Sequence, residues 1–192
     1  MALFVLIAGL PGSGKSVVSD IMRGAGLPVY NMGDVVRQET LARYGKITPE
    51  LMLETSLRLR EEEGPTAIAA RTLARIDVHS SRAIVIDGVR SMHEVEYFKR
   101  HGDVVVIAVH ASPRTRYERL VRRGRPGDPK NYEEFVRRDL VELRVGLGDV
   151  IALADYVLVN EGSVNELEER VREVLRKVLG SGGFGGGGGK AD

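Results

Sequence analysis

Gly9-Leu10-Pro11-Gly12-Ser13-Gly14-Lys15-Ser16 is the stretch on which the fold turns. It fits the pattern G-x-x-x-x-G-K-S/T, a glycine-rich loop whose backbone N–H groups face an anion. The context is right on both sides. Leu3–Ala8 is a continuous apolar run of strand length, and an amphipathic stretch, Val17–Arg23, follows. Gly9, Gly12 and Gly14 let the backbone curl into the nest, and the helix opening near Lys15 adds its positive end. Gly9, Leu10, Pro11, Gly12, Ser13, Gly14, Lys15 and Ser16 are therefore expected to cradle the phosphates of a nucleotide. Lys15 is expected at the β- and γ-phosphates and Ser16 on Mg²⁺. A base-reading N-K-x-D segment is absent, which favours ATP over GTP.

Outward from this loop, short apolar runs recur at Pro28–Tyr30, Ala83–Ile86, Val104–Val109 and Tyr156–Val159. They are continuous rather than alternating, the pattern of strands buried on both faces of a parallel sheet. Helical patterns separate them at Met92–Arg100, Arg114–Arg123, Tyr132–Leu147 and Val164–Leu179. The last opens with Ser163 and Glu166 at capping-box spacing, and Thr48-Pro49-Glu50 reads as another helix start. The alternation predicts a three-layer α/β/α fold with a five-stranded parallel sheet. From about Asp34 to Ser80 the pattern is helical with no strand, which reads as an insertion. Residues 123–131 read as a short exposed lid, and the Gly-rich tail at 180–192 as disordered.

The bulk composition narrows the function classes. The chain has 192 residues, 43 % apolar and 29 % charged, with a net charge of +1. That balance exerts no global pull toward nucleic acid or a membrane. With no Cys there is no disulfide, thiol nucleophile or Cys-ligated zinc, and a cytoplasmic location is expected. The apolar N-terminus is too short to span a bilayer. His79, His93, His101 and His110 lack metal-ligand spacing.

Other residues supply candidates for the acceptor side. Ala83–Ile86 runs into Asp87-Gly88-Val89-Arg90, so Asp87 sits at a strand's carboxyl end, where open α/β sheets bind ligands. Asp87 is a candidate to organise Mg²⁺ or orient an acceptor, and Arg90 to hold the acceptor's anion. Asp34 and Arg37, spaced to share a helix face, are candidates for substrate binding. Arg58 and Arg60, before Glu61-Glu62-Glu63, read as a solvated face. Arg116, Arg119, Arg122, Arg123 and Arg125 crowd one helix end and the following loop. Such crowding repels unless an anion sits among the charges, which suits a clamp on a moving phosphoryl group. Arg123 and Arg125 are the catalytic candidates, joined by Lys15 and Asp87, and Arg137 and Arg138 are placed to complete the clamp.

With these residues identified, the chain resembles the adenylate kinase-like branch of P-loop kinases. Gly33-Asp34-Val35-Val36-Arg37 is similar to the segment that opens their acceptor domain, Asp87-Gly88-Val89-Arg90 to their D-G-F-P-R, and Arg119 to Arg125 to their lid arginines. Ala154-Asp155-Tyr156-Val157-Leu158-Val159-Asn160-Glu161-Gly162 resembles a segment of dephospho-coenzyme A kinase. The combination is similar to an uncharacterised archaeal family of kinase-like ATP-binding proteins. The resemblance implies one P-loop kinase-like domain over residues 1–179, with a helical acceptor-binding insertion at about 34–80 and a lid at about 123–131. It also implies that Asn160–Gly162 lies near the adenine. The expected activity is transfer of the γ-phosphoryl of MgATP to a small nucleotide-like acceptor, a nucleoside monophosphate first and dephospho-coenzyme A second. The alternative is an ATP-dependent switch or assembly factor with slow hydrolysis and a macromolecular partner.

Overall fold

The computed structural model describes residues 2–180, so the Gly-rich tail lies outside the described residues. Five strands form one sheet: β1 (Leu3–Ala8), β2 (Val29–Asn31), β3 (Ala83–Asp87), β4 (Asp103–His110) and β5 (Tyr156–Val159), in the order β2-β3-β1-β4-β5. Every pairing is parallel. Since β1 is central and the order reverses on either side of it, a crevice opens at its carboxyl end, where the glycine-rich loop begins.

The continuous apolar runs are explained by burial on both faces. Phe4, Leu6 and Ala8 of β1 point into one core, with Ile84, Ile86 and Phe98. Val5 and Ile7 point into the other, with Val85, Ile107 and Leu158. The first core is covered by α2 (Met32–Tyr44), α3 (Pro49–Glu63), α4 (Ala67–Leu73), α5 (Met92–Lys99) and α8 (Leu147–Ala152). The second is covered by α1 (Lys15–Gly24) and α9 (Val164–Leu179), which packs Leu167, Val171 and Leu175 inward. Each fully buried Leu, Ile or Phe contributes about 1.5–3 kcal/mol, so this double-sided burial holds the inner strands in register.

Helix starts follow their caps. Thr48 accepts from the Leu51 N–H at α3, and Ser163 and Glu166 form the reciprocal capping box at α9. The stretch between β2 and β3 holds three helices, α2 to α4, and no strand. The pattern expected as one helix over Tyr132–Leu147 is instead two. Gly146 adopts a left-handed conformation (φ +111°), which ends α7 (Tyr132–Val145) and turns the chain into α8. The helix before the lid, α6 (Pro113–Arg123), ends at Gly124 in the same way.

Candidate active site

At the carboxyl end of β1, residues 9–16 wrap the entrance of α1. Gly14 has φ +100°, and a Cβ there would collide with the Asn160 amide nitrogen. Only glycine fits, because the turn needs a left-handed backbone and Asn160 fills the space behind it. Asn160 is 7 % exposed and donates from Nδ2 to the Ser13 carbonyl at 2.8 Å. Its Oδ1 accepts from Arg119 at 3.4 Å, so one side chain joins the loop to a cavity arginine. The resemblance implied a place near the adenine for this segment. Its observed contacts brace the back of the glycine-rich loop.

Lys15 folds over the loop, and its ammonium donates to the Gly9 carbonyl at 2.5 Å and the Leu10 carbonyl at 3.3 Å. Burial pushes its pKa down to about 8, opposed by the nearby Asp87 carboxylate. Ser16 is exposed at the helix start and lines the same cavity.

Asp87 ends β3 and is 6 % exposed. Ser19 donates to its Oδ2 at 2.9 Å and Asn31 at 3.4 Å. Burial raises its pKa above the ordinary carboxylate value, against the pull of Lys15 and the Ser19 hydroxyl. Arg90 sits beyond it, with its Nε 2.8 Å from Glu142 Oε2 and its backbone N–H 2.7 Å from Glu94 Oε2. Lys15, Ser16, Asp87, Arg90, Arg119, Arg123, Arg138 and Glu142 share one cavity of about 340 Å³.

Other sequence candidates fall elsewhere. Arg116 is 3 % exposed, forms a bidentate pair with Asp139 and lies over the Phe135 ring. It pins α6 to α7 and the Pro11 carbonyl, so it is structural rather than part of a clamp. Arg125 and Arg137 are exposed and do not line the cavity, and Arg137 pairs with Glu133. Asp34 and Arg37 do share a helix face, 4.0 Å apart, but both are exposed and neither lines the cavity, whose wall ends in that segment at Gly33, directly before Asp34. Arg60 is not on a solvated face: its Nη2 reaches the fully buried Glu94 at 2.9 Å. Sequence reasoning missed Ser19, Asn31, Glu94 and Glu142. The capping-box spacing of Ser91 and Glu94 was the one signal that could have found Glu94; the others have none.

The site can bind an anion and neutralise a moving negative charge. Among the described residues no cluster of three or more His, Asp or Glu is placed to hold a metal ion. Ser16 and Asp87 line the same cavity, and two oxygen ligands would suit an ion held chiefly by a ligand's phosphates.

Comparison with known proteins places this arrangement. A family model described as an AAA domain matches residues 5–140. A UPF0200 protein of Staphylothermus marinus is 56 % identical over 180 residues, covering 93 % of this chain and 95 % of its own. The chain belongs to the UPF0200 family. A second family member, from Methanocaldococcus jannaschii, is 44 % identical and covers 92 % of this chain and 91 % of its own. Two solved structures share the fold. TT1252 from Thermus thermophilus has a TM-score of 0.62 at 20 % identity, covering 93 % of this chain and 99 % of its own. Shikimate kinase from Acinetobacter baumannii, solved with shikimate, has a TM-score of 0.56 at 18 % identity, covering 95 % of each chain. This UPF0200 member thus has a P-loop kinase-like fold. No helix among its described residues is long and apolar enough to cross a membrane.

Proposed function

We propose that the chain is an ATP-dependent phosphotransferase that moves the γ-phosphoryl of MgATP to a small nucleotide-like acceptor, with nucleoside monophosphates the first choice and dephospho-coenzyme A the second. The observation that carries this reading is the shared cavity: a phosphate cradle opens on the same space as Asp87, Arg90 and three further arginines. Phosphoryl transfer needs little covalent chemistry from the protein and depends on positioning and charge neutralisation.

Residues 9–16 hold the nucleotide's phosphates through backbone N–H groups, and Lys15 leaves its loop carbonyls for the β- and γ-phosphates. Mg²⁺, held by Ser16 and Asp87 together with the phosphates, would supply further charge neutralisation. Arg119, Arg123 and Arg138 face the transferred group, and Arg90 the acceptor's anion. Arg125 drops out of the catalytic set because it does not line the cavity, and Asp34 and Arg37 serve at the acceptor's outer rim. An acceptor phosphate would be its own nucleophile. For a hydroxyl acceptor, Asp87 is the base, its raised pKa bringing it closer to the task.

The test is ADP formation from MgATP across nucleoside monophosphates and dephospho-coenzyme A, with Lys15→Ala as control. Stimulation by one acceptor that the variant abolishes supports the reading. ATP binding with no stimulation by any of them contradicts it. One observation favours the second reading, an ATP-dependent switch with a macromolecular partner. Tyr132, Val136, Leu140 and Leu143 form an apolar stripe on α7, 37–54 % exposed, on the helix that also carries Arg138 and Glu142. That reading predicts ATP turnover that rises with a protein partner and with no small acceptor.

A further inference from the structure

The lid between α6 and α7 carries a carboxylate that the sequence pattern does not bring to notice. Asp128 lies in a loop that is exposed except at Pro129 beside it, yet its side chain is only 4 % exposed. Its Oδ2 accepts from Arg123 Nε at 2.8 Å and from the Arg125 backbone N–H at 3.0 Å. Its Oδ1 accepts from Arg123 Nη2 and, at 3.4 Å, from Arg138 Nη1. Arg138 Nη1 also donates to the Gly127 carbonyl at 2.9 Å. The loop is seated at its other side on the start of α3, where a Cβ on Gly127 would lie 2.5 Å from Pro49.

Both arginines line the cavity, and they come from different helices. A carboxylate that takes the Nε–Nη2 edge of a guanidinium fixes its plane and leaves Nη1 free to meet another anion. Among the described residues Arg123 Nη1 has no partner, and neither do Arg138 Nε and Nη2. Each side chain is 37 % exposed, so without this anchor both would sweep many rotamers in solvent. Fixing them before the ligand arrives removes that loss from the step in which charge moves.

We propose that Asp128 is a positioning residue of the phosphoryl-transfer site, holding Arg123 and Arg138 in the orientation that receives the transferred phosphoryl group. This rests on the phosphotransferase reading above. It assigns the buried carboxylate of the lid to a pre-set pair of arginines, and it predicts that Asp128 matters more to the transition state than to the bound nucleotide.

The experiment is calorimetric binding of MgADP with and without aluminium fluoride, the fluoride complex standing in for the phosphoryl group in flight. The wild-type protein binds MgADP more tightly when aluminium fluoride is present. Asp128→Asn loses at least tenfold of that gain, binds MgADP alone within twofold of wild type, and Asp128→Glu recovers part of the loss. Because Asp128 acts through both arginines, adding Asp128→Asn to the Arg123→Ala/Arg138→Ala double variant costs no further loss of that gain. A full gain in Asp128→Asn overturns the proposal, and so does an equal loss of MgADP and fluoride-complex binding, which marks a merely structural role. If the wild-type protein gains nothing from aluminium fluoride, the phosphotransferase reading itself fails and takes this inference with it.

Discussion

The two halves of the cavity are built by different means. On the nucleotide half, consecutive residues 9–16 supply the cradle, mostly through backbone groups that any sequence with the right glycines would present. On the other half, assigned above to the acceptor and the transferred phosphoryl group, the charges come already paired across elements: Arg90 with Glu142, and Arg123 and Arg138 with Asp128. The first half is a fixed mould. In the second, an incoming anion must replace or extend an existing ion pair, so its affinity depends on the difference between two similar interactions. Damage to the mould should therefore be severe, and changes to the paired charges graded.

The largest effect is expected at Lys15. Lys15→Ala should lower turnover about 10²–10³-fold, the range for losing a donor aimed at developing charge, as read in a steady-state ADP assay. A loss under tenfold would mean the mould does not depend on its only buried ammonium. Next is Asp87→Asn, expected to cost about 10²-fold in turnover and to weaken MgATP binding by a smaller factor, since the phosphates carry most of the hold on Mg²⁺.

The pH dependence of nucleotide affinity sharpens the contrast. Free Lys15 has a pKa of about 8, and a bound phosphate favours its charged form. Below pH 8 the ammonium is already present and affinity is flat. Above it, binding must take up a proton, and Kd rises by up to about tenfold per pH unit. Calorimetry in buffers of different ionisation enthalpy counts that proton directly. The linkage to folding has the same origin. The depressed pKa makes the folded state gain stability as pH rises from about 8 toward the ordinary lysine value of 10.5. Asp87 has the opposite sense. Its raised pKa gives a stability term present at acid pH that is lost as pH rises through the folded value.

On the acceptor half the expected effects are smaller. Glu142→Gln frees Arg90, so KM for an anionic acceptor should fall about threefold while Kd for MgATP stays put. A rise in KM would show that Glu142 itself holds the acceptor. Arg37→Ala should raise acceptor KM by about twofold and leave kcat unchanged, since the side chain is 58 % exposed and makes one long ion pair.

The same contrast explains what the sequence made legible. The sheet could be read because burial on both faces leaves continuous apolar runs, and the cradle because its groups are contiguous. Thr48 and Ser163 announced their helices because a cap is a local interaction. The break at Gly146 was hidden because Val145 and Leu147 continue the amphipathic pattern across it. Arg60 looked like surface charge and Arg116 like part of the clamp because their partners, Glu94 and Asp139, lie 34 and 23 residues away. Asp128 drew no notice within the lid for the same reason, since Arg138 lies 10 residues away. Whether a charge faces solvent, braces the fold or lines the cavity is decided by a partner that tertiary packing selects, and no local spacing encodes it.

The most direct measurement is the fate of the γ-phosphoryl group. The protein is incubated with Mg²⁺ and ATP labelled with ¹⁸O in that group, together with nucleoside monophosphates and dephospho-coenzyme A, and the products are read by mass spectrometry. Label on one acceptor, absent with Lys15→Ala, is the predicted result. Label found in inorganic phosphate alone, with every acceptor unmodified, would contradict phosphoryl transfer to a small nucleotide-like molecule.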